Sequence, residues 1–484
     1  MKSKKRTIVA SLIFLALVSF PVLGQIPNSM FFMPGVPQSN RINPAIQPGC
    51  GFYLGFPGLA PLRFEISSSS LGFSDLVYHN AEIDSLITPF HPLGDKQAFL
   101  DELDVKNMII SDFGVSLASF GFRSGKSFIS FDISSRLDGN IYFPRGIFDL
   151  AFTGAVDGGN LSLGGFGADI TAFNEIGLGW SRKDFLIPNL DLGVRGKVLF
   201  GLANVATKSS VLDIATSLDE WNLHSEMEVA ISAIPLLLDL ENYEVDFNNF
   251  EPPPLGFETI DFSNPGEILD KVFTGQFGLG VDVGLNYRPI PQLMLSASML
   301  DIGYINWKNS QQANFNFDYD FAGIEVNPFT GVDTTMITEL LDSLGNSFVI
   351  TAGAPYMTRL NSKLFIGASY YPIEKIGFGL LSRTDFLNNA IAQQFTGTVN
   401  MTTGKFINLS LSYSYMQKTF NNIGAGLSFN LGPLNMYLIS DNIISAGWKP
   451  LETRSVNLWF GMNLTFGWHL SKKKAKPLDR PMII

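Results

Sequence analysis

The chain has 484 residues, of which 46% are hydrophobic and only 16% charged, with 46 Gly, 42 Phe, one Cys and a net charge of −11. A soluble domain carries roughly a quarter charged residues, yet mean hydropathy is only +0.18, and past residue 24 no uncharged apolar run approaches the ~20 residues of a spanning helix. A polytopic helical membrane protein is excluded, and so are a disulfide scaffold and a multi-Cys metal site.

The chain opens on Lys2, Lys4, Lys5 and Arg6, continues through the apolar run Ile8 to Phe20, and reaches Pro21-Val22-Leu23-Gly24. A basic start, a short apolar core and small residues before a cleavage point make a secretory signal peptide. Residues 1–24 are therefore expected to be removed near Gly24, which takes away four positive charges and leaves −15. Such an acidic exported chain offers nucleic acid no electrostatic footprint. Residues 25–60 are rich in Pro and Gly, which points to an irregular, plug-like segment, since each Pro removes a donor and restricts its predecessor.

From about residue 62 the pattern becomes alternation. Val456, Leu458, Phe460, Met462, Leu464 and Phe466 share one parity, with Asn457, Gly461, Asn463 and Thr465 on the other. Residues 276–288, 405–416 and 420–430 read the same way. Period two over ten or so residues is a strand with one apolar and one small or polar face. A soluble sandwich would place many charges on the polar face. Here that face is Gly, Ser, Asn and Thr, which fits a transmembrane barrel with lipid outside and strands of ~9–11 residues. Candidate strands are 62–71, 112–122, 126–138, 161–183, 190–202, 207–218, 223–233, 276–288, 292–303, 356–371, 374–386, 392–402, 405–416, 420–430, 433–440 and 453–467. Two of these are weak, and Phe315 to Phe321 could form a hairpin in an outer loop, so fourteen to sixteen strands are expected. Short turns alternate with the long connections 72–111, 234–275, 304–355 and 441–452, as an outer-membrane barrel requires. The barrel is expected over 61–470, followed by a basic periplasmic tail, 471–484.

Several charges fall on inward parity: Asp191, Arg195 and Lys197 on one strand, Glu226 and Glu228 on another, and Asp282 on a third. A lipid-facing Arg or Lys at the midplane would cost ~2–4 kcal/mol, so these belong in the lumen. Arg195 and Lys197 opposite Glu226 and Glu228 would close the barrel, filter solutes or serve as a structural ladder. The segment 239–270 holds nine acidic residues and no Lys or Arg. It lacks calcium-loop spacing and reads as a solvated acidic loop. The residues His79, His91, His224 and His469 are scattered, no nucleophile lies beside a base, and no dinucleotide or phosphate-loop fingerprint occurs. No enzyme, cofactor or metal is expected.

Asn43-Pro44-Ala45 behind the exported leader, the hairpin Phe120 to Lys126, the run Leu293 to Trp307, Tyr437 to Asn442 and the closing Asn457 to Gly467 together resemble one family. It is the exported Bacteroidetes family of domain of unknown function 5723, similar in architecture to FadL-like fatty-acid channels. The resemblance spans nearly the whole mature chain. It implies an outer-membrane barrel with residues 25–60 as its plug and Asn43, Pro44 and Ala45 as a fixed turn in that plug. Read from the residues alone, Asn43-Pro44 simply starts a turn with a local hydrogen bond to the Asn side chain. The expectation is a passive outer-membrane conduit or binder for a small apolar solute, surrounded by outer-membrane lipid. The alternative is a structural barrel that partners a secretion, adhesion or gliding assembly through loops 234–275 and 304–355.

Overall fold

The alternating segments close into one antiparallel barrel of fourteen strands. The computed structural model describes residues 27–154, 160–217, 221–233, 276–308, 310–321, 326–327, 331–332, 347–388, 390–403, 406–416, 418–443 and 453–467. The leader with its cleavage point, the acidic segment 239–270 and the basic tail lie outside these residues.

The first wall strand, β1, is interrupted: Phe52–Gly55 and Leu62–Ser68 both lie between the last strand and the second. Pro57, Gly58 at φ 76° and Pro61 fall in the gap, where residues without a donor or in a left-handed conformation cannot continue a ladder. The wall thus begins at Phe52, within the stretch read as plug. It continues through β2 (Lys106–Ser124), β3 (Ser127–Pro144), β4 (Gly167–Arg182) and β5 (Leu190–Thr216). Next come β6 (Trp221–Ala233 with Phe277–Ile290), β7 (Leu293–Trp307 with Ser310–Phe321) and β8 (Phe348–Gly353, Tyr356–Arg359 and Ser362–Ile373). The last six are β9 (Ile376–Phe386), β10 (Ile391–Thr403), β11 (Ile407–Met416), β12 (Thr419–Leu431), β13 (Leu434–Ser440) and β14 (Ser455–Phe466). Pairing of Phe52 with both Phe466 and Phe122 closes the ring.

Fourteen strands arise from sixteen candidates by two mergers. Candidates 190–202 and 207–218 are one 27-residue strand. Candidates 223–233 and 276–288 are two halves of β6: the first pairs with Ala203 to Thr216 of β5, the second with Leu190 to Phe200. Residues 234–275 are therefore an insertion within a strand rather than a connection between neighbours. Phe315 to Phe321 lies in the upper half of β7, where it pairs with β6, while Ser310 to Phe315 also pair with β8, so part of 304–355 is wall extension.

The faces follow the alternation. Leu380 (71% exposed), Ile366, Phe395 and Tyr413 point outward, whereas Ser410, Ser412, Ser414 and Asn463 point inward and are buried. A continuous outward apolar band has lipid as its solvent. The long-connection side carries small helices, α1 (Phe73–Leu76), α2 (Lys96–Glu102) and α3 (Gly146–Thr153). There Phe99 of α2 packs against Phe148 and Phe152 of α3 at ring separations of 5.1 and 5.7 Å.

Replacing Leu380 with Arg puts a guanidinium on the lipid face and should cost ~2–4 kcal/mol. Denaturant titration of protein refolded in lipid vesicles measures this, with Thr384→Arg near the strand end as the cheaper comparison.

Candidate functional site: a filled and ion-locked lumen

The lumen is occupied by the chain's own N-terminal segment. Two short 3-10 turns, Asn28–Phe32 and Pro37–Arg41, run down its interior. Met30, Phe31, Phe32 and Met33 are buried and join one apolar cluster with Phe365, Leu381, Tyr437, Ile439 and Trp459 of the wall. Phe31 stacks on Phe365 at 5.7 Å. These contacts let apolar side chains leave water inside a barrel whose inner face is otherwise polar.

Polar wall residues hold the segment's backbone. The Asp441 carboxylate accepts from the amides of Asn28 (2.5 Å) and Ser29 (3.1 Å). Ser428 Oγ and Asn435 Nδ2 donate to the Gly35 carbonyl at 3.0 and 2.9 Å. Gly35 sits at φ 80°, and a Cβ there would stand 2.2 Å from Asn408 Nδ2, so both conformation and space call for glycine. The Gln38 and Asn463 side-chain amides bond each other.

The Asn43-Pro44-Ala45 turn is both local and docked. Asn43 Oδ1 accepts from the Ala45 amide at 2.9 Å, the hydrogen bond expected of a turn-starting Asn. Its Nδ2 donates to Asn286 Oδ1 at 2.9 Å, and Ser298 Oγ donates to the Ile42 carbonyl at 2.7 Å. The turn presses on Gly193 and Gly284: a Cβ at either would meet Pro44 or Asn43 within 2.1 Å. Two wall glycines thereby form its seat.

Beside that seat lies a buried ion network. Arg195 reaches Asp132 (2.5 Å), Glu175 (2.5 Å) and Asp282 (3.0 Å). Lys197 reaches Asp282 (2.5 Å) and Asp301 (2.6 Å). Arg136 contacts Asp138, Glu175 and Asp301 at 2.8–3.2 Å. Lys363 lies 3.5 Å from Asp112, which also meets Arg63 at 3.1 Å. Arg41 of the N-terminal segment joins through Asp132 at 3.4 Å. Buried charges persist only when paired in this way.

The structure thus brings Arg195, Lys197 and Asp282 together and places the other candidates elsewhere. Asp191 pairs with Arg288 at 2.6 Å, nearer the short-turn mouth. Glu226 and Glu228 sit on the upper half of β6, opposite Val211 and Ser209 of β5. Neither contacts Arg195 or Lys197, because the first half of β6 pairs with the upper part of β5 while those cations face its second half. Asp132, Arg136 and Asp138 were legible by parity, since they alternate with the small residues Ser130 and Ser134. Asp301 was not. It has φ 58° in a register shift between β6 and β7, a bulge that turns its side chain inward beside Leu300. Its amide donates to Asp282 Oδ1 at 2.7 Å.

Beside the turn, a cavity between Asn40, Pro44, Trp180 and Arg195 measures about 10 Å³, room for about one water. The break in β6 is also sealed. The Gln276 carbonyl accepts from the Gly201 amide (2.7 Å), its Oε1 from the Lys308 amide (2.6 Å), and its Nε2 donates to Ser232 Oγ (3.2 Å). One residue replaces missing ladder bonds, to β5 through its main-chain carbonyl and to β6 and β7 through its side-chain amide.

Residues 44–441 match the family described as a family of unknown function, DUF5723. The chain belongs to that family. No curated protein matches it. Among solved structures it is similar to the toluene transporter TbuX of Ralstonia pickettii, with TM-score 0.37 and 8% identity over 91% of this chain and 94% of that one. A FadL homologue of Pseudomonas aeruginosa gives 0.37 and 10%, over 92% and 96%. The toluene transporter TodX of P. putida gives 0.36 and 8%, over 91% and 94%. Likeness at this level carries no argument about what enters the lumen. The matched family region contains Pro44 and Ala45 of the turn, most of the ion network and Asp441, and it begins just after Arg41 and Asn43.

Arg195→Ala removes the cation that three buried carboxylates, Asp132, Glu175 and Asp282, share. Loss of one partner from a buried pair costs about 3–5 kcal/mol, so chemical denaturation in detergent should register a loss of that order. Ser410→Ala, which leaves no charge unpaired, should change stability by less than about 1 kcal/mol.

Proposed function

We propose that this family member is an outer-membrane conduit for a small apolar solute, gated by its N-terminal segment. The short turns face the periplasm and the long connections face outward, as in bacterial barrels. The observation that carries this reading is the mode of closure. Barrels of about eight strands are filled by wall side chains, whereas sixteen to eighteen leave a channel. A fourteen-strand wall encloses more space than its own inner face fills, and a separate, hydrogen-bonded segment with one ion pair to the wall occupies the remainder. Under Met30 to Met33 the wall itself is apolar at Phe365, Leu381, Tyr437, Ile439 and Trp459, so displacing the segment would expose an apolar stretch of wall to a solute. Nothing in such a route needs catalysis. The leader, the part of 25–60 that precedes Phe52 as plug, and the tail as a periplasmic extension fit the same scheme.

A second reading is favoured by the ion network, which ties eight strands together, β1 to β8, beside a cavity of about 10 Å³ at the turn. On it the barrel is a permanently closed structural element of a larger assembly.

Planar-bilayer recording and uptake of an apolar fluorescent probe by proteoliposomes test the first reading. The intact protein should conduct weakly. The variant Arg41→Ala/Asn43→Ala, which loses the ion pair to Asp132 and the bond to Asn286, should admit the probe faster and show openings. A folded protein lacking residues 27–46 that neither conducts nor admits the probe would rule out the conduit. A stoichiometric partner retained by such a closed barrel on purification from native membranes would favour the second.

A further inference from the structure

At the short-turn mouth three cations converge in a chain that is acidic overall. Arg123 lies near the end of β2, Lys183 directly follows β4 and Arg288 lies near the end of β6. The neighbouring carboxylates are committed elsewhere. Asp191 receives Arg288 Nη2 on Oδ2 (2.6 Å) and the Asp184 amide on Oδ1 (3.2 Å). Asp184 receives the Asn189 amide on Oδ1 (3.0 Å) and pairs with Lys126 through Oδ2 (3.0 Å). Arg123 uses Nη1 and Nη2 on Gln47 Oε1 (2.6 Å) and the Pro48 carbonyl (2.5 Å), and its Nε is buried without a hydrogen-bond partner.

Lys183 is left over. Its side chain is half-buried, and the charges of Arg123, Asp191, Arg288 and Asp184 act on its ammonium without a hydrogen bond or ion pair to it among the described residues. Burial, reinforced by the Arg123 guanidinium, pushes its pKa from 10.5 down to about 8. The turn geometry maintains this imbalance. Asp184, Leu186 and Asn189 all hold positive φ, at 51°, 63° and 65°. That conformation costs non-glycine residues energy, and here it directs the Asp184 carboxylate to Asn189 and Lys126 rather than to Lys183.

We propose that Arg123, Lys183 and Arg288 form a binding site for a phosphate group at the periplasmic mouth. A tetrahedral oxyanion offers acceptors to the Lys183 ammonium and sits in the field of the Arg123 and Arg288 charges that act on that ammonium, and charge-assisted bonds of this kind are short and strong. Two sources share the chemistry: inorganic phosphate in the periplasm and the headgroup of a phospholipid in the adjoining leaflet. Phe185 packs edge-on against outward-facing Trp180 at 6.0 Å, and Leu186 and Ile187 are 85% and 51% exposed on the same turn, which places apolar contacts beside the cations. The site does not depend on whether the barrel conducts.

Full-length processed protein in detergent is titrated with inorganic phosphate by calorimetry, against chloride at matched ionic strength. In parallel, retention of phosphatidylglycerol is followed by native mass spectrometry. Saturable phosphate binding, weakened about fivefold or more by Lys183→Gln, a figure set by the loss of one cation, and retained by Lys183→Arg, supports the site with free phosphate as its source. Phosphatidylglycerol retention lost in Lys183→Gln and kept in Lys183→Arg, with phosphate alone ineffective, supports it with lipid as the source. Folding of each variant is checked by heat-dependent gel mobility. If both ligands bind Lys183→Gln as they bind the parent, or neither binds the folded parent, the proposal is wrong.

Discussion

The interior of a fourteen-strand barrel must be filled, and almost every other feature follows from that demand. Lipid takes the apolar parity of each strand, so the inner face is left with Ser, Asn, Thr, Gly and charges. Such a face cannot collapse on itself as an apolar core does. A polar group removed from water without a partner costs several kcal/mol in an apolar setting. The N-terminal segment answers this demand with its backbone amides and carbonyls, which meet Asp441, Ser428 and Asn435.

The two halves of the lumen solve the problem differently. Around β10 to β14 the strands' inner face is uncharged, with Asp441 just beyond β13 as the carboxylate that holds Asn28, and apolar Met30 to Met33 settle against Tyr437, Ile439 and Trp459. Around β2 to β8 it is charged, and carboxylates and cations satisfy one another in a continuous set of contacts at 2.5–3.8 Å. Arg41 and Asn43 stand at the junction, each bonded to the wall. Movement of the segment would therefore have to break one ion pair and a small set of hydrogen bonds, while the wall network itself could stay intact. This division makes a gate physically reasonable without requiring the barrel to reorganise.

Much of the fold was legible in the sequence because strand parity is a local property. The outward positions of Phe395 and Tyr413 and the inward positions of Ser410 to Ser414 follow from period two alone. The Asn43 turn was legible for the same reason: its Oδ1 bonds an amide two residues on. The pairing partners were not legible. Arg195 and Lys197 were matched to Glu226 and Glu228 by parity, but register places those glutamates on the upper half of an interrupted strand. Asp132, Arg136 and Asp138 shared the parity of their small neighbours and offered a usable signal. Asp301 offered none, since a bulge moves it to the opposite face from the one alternation assigns.

The period-two alternation, together with the charge scarcity and the Gly and Phe content of the chain, determined a barrel with lipid outside and small residues inside, because each strand must present one face to each solvent. The candidate strand segments also bounded the strand number at fourteen to sixteen. The tertiary structure decided that candidates 190–202 and 207–218 are one strand, that β6 resumes after an insertion, and that Gln276 closes the resulting gap. It also decided that Arg41 meets Asp132 and that Asn28 meets Asp441, 413 residues along the chain. Such contacts depend on register, on bulges and on closure of the ring, and no local pattern of residues encodes them.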